Sequence, residues 1–138
     1  MTNYRVADEL EIRNVLAEAL WLADNAGIDE LDPYLACFTE DAEWEMFGDV
    51  RRGHAEILAG AKDRRTTGMM GPGSTVMHFL SCTVVGFESD TSASVKSYIQ
   101  AYRKVPNNPE LFLMGRYNDS FSKVDGSWKL AKRVVIFE

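Results

Sequence analysis

Val76-Met77-His78-Phe79-Leu80-Ser81-Cys82-Thr83-Val84-Val85 is an apolar run rich in β-branched and aromatic residues, and it opens the part of the chain that decides the fold. It lies in the first of four long strand-like stretches, 75–87, 92–105, 111–124 and 127–137. Short separators part them: residues 88–91, then Pro106-Asn107-Asn108-Pro109, then Asp125-Gly126. Asp-Gly between two such runs is a strong hairpin signal, and successive hairpins build a curved antiparallel sheet.

Upstream the period changes. Within 12–24, Ile12, Val15, Leu16, Ala19, Leu20 and Ala23 recur at helical spacing, and Asn25-Ala26-Gly27 reads as the stop. Residues 28–38 carry a short second helix, with Pro33 near its start where a missing N–H does no harm. Strands at 42–47 and 50–52 follow, and after Gly53 a third helix spans about 54–63 with Ile57, Leu58 and Ala61 inward. Three N-terminal helices packed on one face of a curved antiparallel sheet give an α+β class. With no repeat, low-complexity tract or linker, residues 1–138 read as one domain. One irregular segment stands out: Thr66-Thr67-Gly68-Met69-Met70-Gly71-Pro72-Gly73-Ser74, whose glycines and proline break regular structure while its methionines offer adaptable apolar contacts.

Composition excludes several classes. The 138 residues are 46% hydrophobic, enough for a core without staples, and a net charge of −6 disfavours nucleic acid and anionic membrane surfaces. Cys37 and Cys82 are isolated, so neither a zinc site nor a redox pair is indicated, and two free thiols suit a reducing cytoplasm. The first nine residues, Met1 to Glu9, lack the basic and apolar regions of a signal peptide, and no apolar run reaches membrane-spanning length. Lacking a glycine-rich nucleotide loop, a clustered His and Cys set or a Lys motif, the chain implies no cofactor and no metal.

His78 is one of only two histidines, and a group that titrates near neutrality inside an apolar strand must be hydrogen-bonded or bear a large desolvation cost. The plain reading is a core histidine satisfied by a backbone carbonyl. A partner for a sharper reading exists in Asp24, which falls about 40° beyond Leu20 on the helical wheel, at the edge of the inward stripe. A negative charge near a helix C-terminus opposes the macrodipole, so Asp24 needs another reason to be there. An imidazole flanked by a carboxylate is held in one tautomer and made more basic.

Three blocks converge on a family: Leu35-Ala36-Cys37-Phe38-Thr39-Glu40-Asp41-Ala42-Glu43-Trp44, Arg52-Gly53-His54-Ala55-Glu56-Ile57, and Gly115-Arg116-Tyr117-Asn118-Asp119 with Asp125-Gly126-Ser127-Trp128-Lys129-Leu130-Ala131-Lys132-Arg133. Together they resemble the SnoaL-like branch of the nuclear transport factor 2 (NTF2)-like superfamily, over almost the whole chain. The resemblance implies a cone-shaped α+β barrel enclosing a deep pocket. It is nearest in pattern to scytalone dehydratase, bile acid dehydratase and hexachlorocyclohexane dehydrochlorinase, which use an Asp–His dyad. It places that dyad on Asp24 and His78, the arginine of the last strand on Arg133, and pocket aromatics on Trp44 and Tyr117. The chain also departs from these relatives: Ala19 stands where the dehydrochlorinase has a lysine, and Ala23 where scytalone dehydratase has a tyrosine.

The resulting expectation is a cofactor-independent lyase, by dehydratase-type elimination or carbon–carbon cleavage, acting on a small hydrophobic hydroxylated substrate of aromatic or polycyclic type. Isomerase, polyketide cyclase and non-catalytic ligand-binding readings share the same pocket. Arg133 would stabilise negative charge, and Trp44, Tyr117, Tyr98, Met69 and Phe137 would contact the substrate, although strand parity alone does not place Tyr98 or Asp119. Alternation on the final strand sets Ala131, Arg133, Val135 and Phe137 on one side against Trp128, Leu130, Val134 and Ile136 on the other. Both sides are apolar, which implies that one is covered by another subunit; the resemblance favours a homotrimer over a dimer. In such an assembly 66–74 would lie at the pocket mouth as a lid over an apolar ligand, with a mobile surface loop as the competing reading.

Overall fold

The computed structural model describes residues 5–138; Met1 to Tyr4, part of the stretch in which no signal peptide is expected, lie outside the described residues. The order of elements is α1 (Val6–Asn25), α2 (Asp32–Leu35), β1 (Phe38–Met46), β2 (Asp49–Arg52), α3 (Gly53–Thr66), β3 (Val76–Phe87), β4 (Ser92–Arg103), β5 (Glu110–Val124) and β6 (Ser127–Phe137). All four long strands form as the sequence predicts. The helices need two corrections: α3 follows β1 and β2 instead of joining an N-terminal trio, and it runs on through Arg64 and Arg65.

One six-stranded sheet has the order β2-β1-β6-β5-β4-β3. It is mixed, not purely antiparallel, because β1 runs parallel to β6 while every other pair is antiparallel. A parallel neighbour needs a long crossover, and the chain between β1 and β6 supplies it. The β5–β6 turn bears out its hairpin signal: Asp125 and Gly126 both have positive φ, at 51° and 83°. Where β5 passes closest to β6, a Cβ on Gly115 would collide with the Ile136 carbonyl, so only glycine fits.

The inner face of the sheet packs on α1, burying Ile12, Leu16 and Ala19 against Val95, Phe121 and Leu130. The start of α1 is tied to the last hairpin, where the Trp128 indole donates to Asp8 at 2.9 Å and the Trp128 backbone N–H to Glu11 at 2.8 Å. Trp128 and Leu130 are therefore interior, on the same side as Arg133 and Val135, which overturns the simple alternation expected for β6. The register shifts between Ser120 and Phe121: Leu130 pairs with Phe121, Lys132 with Ser120, and Ala131 is the extra residue. A bulge of this kind flips the parity of everything beyond it. Lys132 consequently faces out and Arg133 in.

Candidate active site

β3 is an edge strand, so its backbone donors on the side away from β4 need partners outside the sheet. Asp24, in the last turn of α1, supplies one. Its Oδ2 accepts the His78 backbone N–H at 2.8 Å, and its Oδ1 lies 2.7 Å from His78 Nδ1. A carboxylate only accepts, so the proton sits on Nδ1 and Nε2 carries a free lone pair. Both side chains are largely buried, at 8% and 12% exposure. Among the described residues nothing else bonds to the ring, and His78 lines an apolar cavity of about 140 Å³. Asp24 does not line it. It lines a second, outer groove with Trp21 and Met77, and His78 borders both spaces.

The end of α1 that carries Asp24 has no basic residue of its own. Arg65, from the last turn of α3, does that work: its Nε donates to the Ala26 carbonyl at 2.9 Å and its Nη2 to those of Leu22 and Ala23 at 3.0 Å. A guanidinium on the last carbonyls satisfies orphan acceptors and opposes the negative end of the dipole. Burial nonetheless pulls the Arg65 pKa below its ordinary value. The sequence offers no signal for this contact, since an arginine pair ending a helix reads as solvated charge.

Arg133 opens onto the same cavity as His78. It is 3% exposed, and its Nε and Nη2 donate to the two carboxylate oxygens of Asp119, both at 2.9 Å. Burial weighs against the Arg133 charge, yet the Asp119 charge and hydrogen bonds hold its pKa above the ordinary value. For Asp119 burial pushes the carboxyl up against the same attraction. The guanidinium does not release its proton, so the forked contact is an ion pair. Tyr117 lies under it with 3.8 Å between guanidinium carbon and ring centroid, and burial raises the Tyr117 phenol to about 12.

The remaining expected contacts divide. Trp44, Tyr117, Met69 and Phe137 line the cavity. Tyr98 does not: neighbouring Ile99 points into the core, which turns Tyr98 to the outer face of β4, where it is 50% exposed. Phe47 is 76% exposed, stacks on Phe137 with centroids 5.4 Å apart and marks the open end of the cavity. Met69 and Met70 approach the cavity from a segment held by its own hydrogen bonds: both of their N–H groups donate to the Arg64 carbonyl, and Ser74 Oγ donates to that of Gly68. Tyr34 and Arg64 also line the cavity and were not singled out by sequence. No group of three or more His, Cys, Asp or Glu gathers as a metal site among the described residues. Cys37 is buried, with burial raising its thiol to about 11, and Cys82 is exposed; His54 bonds the Phe38 carbonyl at 3.1 Å.

An α+β fold built on this six-stranded sheet, with helices around an apolar cavity, is the NTF2-like, or cystatin-like, architecture. The chain belongs to the SnoaL-like family, whose domain model matches residues 4–134. No curated protein matches the sequence significantly. Among solved structures, a scytalone dehydratase-like protein of Novosphingobium aromaticivorans is 22% identical with a TM-score of 0.77, over 100% of this chain and 89% of that one. A hexachlorocyclohexane dehydrochlorinase, LinA type 2, is 17% identical with a TM-score of 0.76, over 97% and 87%. An NTF2-like protein of N. aromaticivorans with a cystatin-like fold is 21% identical with a TM-score of 0.81, over 96% and 82%. At such identities the likeness establishes the fold. No helix among the described residues is long and apolar enough to cross a membrane.

Proposed function

We propose that this protein is a cofactor-independent lyase that eliminates water, or another small leaving group, from a small hydroxylated aromatic or polycyclic molecule in the cytoplasm. The observation that carries the reading is the His78 ring: Asp24 clamps it through Nδ1, Nε2 has no partner among the described residues, and the residue borders an apolar cavity. Nε2 takes a proton from carbon, the C–H electrons become the new double bond, and the bond to the leaving oxygen breaks. Asp24 stabilises the imidazolium, which returns its proton to the departing hydroxide as water. Arg133 keeps Nη1 unbonded among the described residues, and its fixed charge faces the oxygen on which negative charge develops. Trp44, Tyr117, Met69 and Phe137 enclose the apolar body.

The outer sheet face supports the homo-oligomer, with a trimer as the assembly. Phe79 neighbours Gln100 and Met114 across the strands, Met77 neighbours Tyr102, and Tyr98 neighbours Arg116 and through it Ile136. This exposed apolar surface of β3 to β5 replaces the final strand as the reason to expect a partner.

The test is a panel of hydroxylated aromatic and terpenoid compounds with mass detection of products. Loss of water with wild-type protein, and a fall of about 10²- to 10⁴-fold in His78→Ala and Asp24→Asn with fold retained, is the expected result. Products of unchanged mass would mark isomerisation or cyclisation instead. Ligands bound and released unaltered, with affinity indifferent to both substitutions, would make the pocket a binding site only.

A further inference from the structure

We propose that Arg64 is an anion-recognising residue of the cavity, and that the molecule held there is an apolar body bearing an anionic oxygen group such as a carboxylate or an ionised ring hydroxyl. The inference shares its cavity with the lyase reading but needs neither His78 nor Asp24.

Arg64 lies in the last turn of α3, and its guanidinium carbon sits 4.4 Å from the centroid of the Trp44 ring, both residues lining the cavity. Its Nε is buried and has no hydrogen-bond partner. No ion pair among the described residues includes Arg64. Four other arginines are engaged: Arg133 is paired with Asp119 through Nε and Nη2, Arg51 meets Asp49, Arg52 meets Glu43, and Arg65 is bonded to backbone carbonyls. No aspartate or glutamate lines the cavity, so its wall presents an uncompensated positive charge in a protein whose net charge is −6.

A cation at the end of α3 complements the helix dipole wherever its side chain points. The dipole does not explain why the chain folds inward over Trp44 with a donor removed from water. An acceptor delivered by a ligand does, because a buried unpaired donor is unfavourable and a charge-assisted bond to an anionic oxygen is strong. The charge is felt at the cavity wall, since Arg64 and Arg133 both pull the Tyr117 phenol down against the burial that raises it. Leu20, Ile99, Leu113 and Val135 offer only apolar surface, which selects the body of the molecule and leaves Arg64 to select its charge.

Calorimetry with 2-naphthoate and its methyl ester tests this without knowledge of the natural ligand. Wild-type protein should prefer the acid anion by about tenfold or more. Arg64→Gln should erase the preference while leaving the ester's affinity within about twofold, and Arg64→Lys should keep part of it. Equal affinity for acid and ester in the wild type, no binding of either, or a preference that survives Arg64→Gln overturns the proposal. His78→Ala separates the two readings: it should lose elimination and keep the acid preference, whereas a wild-type protein that prefers the acid but eliminates nothing from the hydroxylated panel sinks the lyase alone.

Discussion

Replacing Arg65 with methionine keeps most of the side chain's volume but withdraws every donor from the end of α1. Two of the carbonyls it serves, those of Ala23 and Ala26, have no backbone donor among the described residues, whereas Leu22 keeps the Ala26 N–H. A half-buried carbonyl deprived of a charged donor costs about 1–1.5 kcal/mol, and loss of the favourable charge at the helix terminus adds about 0.5 kcal/mol, for a total of roughly 3 kcal/mol. Urea unfolding followed by circular dichroism should show that loss at an unchanged m-value. Asp24 sits in the same turn, so loosening it should also free the His78 ring. In proton NMR the downfield Nδ1–H resonance held by Asp24 should broaden in Arg65→Met and sharpen again in Arg65→Lys, which restores one donor. A stability loss below about 1 kcal/mol, with the Nδ1–H signal unaffected, would refute the idea that Arg65 braces the Asp24 turn.

Arg133→Met strands Asp119 in the interior and should lower stability by about 3–5 kcal/mol in urea titration, while adding Asp119→Leu should recover most of it; a single variant within about 1 kcal/mol of wild type refutes the buried pair. Hydrogen bonds from Trp128 and then Lys123 hold the Asp8 carboxyl below its usual range, so this group contributes stability above the unfolded value near 3.8 that is lost as pH falls through the folded value. Thermal melts from pH 6 down to about pH 2 should therefore fall less steeply for Asp8→Asn than for wild type, and parallel curves would contradict the linkage. Light scattering should return a homo-oligomer for the wild type and a smaller species for Phe79→Asp, whose charge would stand on the exposed apolar face of β3 to β5; a wild-type monomer removes the assembly.

The sequence by itself determined the helical or extended character of most segments, because each burial pattern repeats within its own segment: the Ile12 to Ala23 stripe every three to four residues, and the strand positions every two. It missed the start of β1, since 38–41 reads as helix end and turn but pairs as strand from Phe38. It also determined the Asp125-Gly126 hairpin, whose positive φ values depend on those two residues alone, and it named Asp24 and His78, since each is locally misplaced: a carboxylate at the wrong end of a helix dipole and an imidazole in an apolar strand. What it could not determine are consequences of register and of contacts between segments far apart in the chain. The extra residue at Ala131 leaves no mark in composition, yet it puts Trp128 and Leu130 inside with Arg133. The parallel pairing of β1 with β6 depends on a crossover, not on either strand's pattern. Arg64 and Arg65 are adjacent, chemically identical and equally plausible as solvated charges. Only the tertiary structure sends one over Trp44 into the cavity and the other to the end of α1, because the position of α3 against both elements decides what each guanidinium can reach.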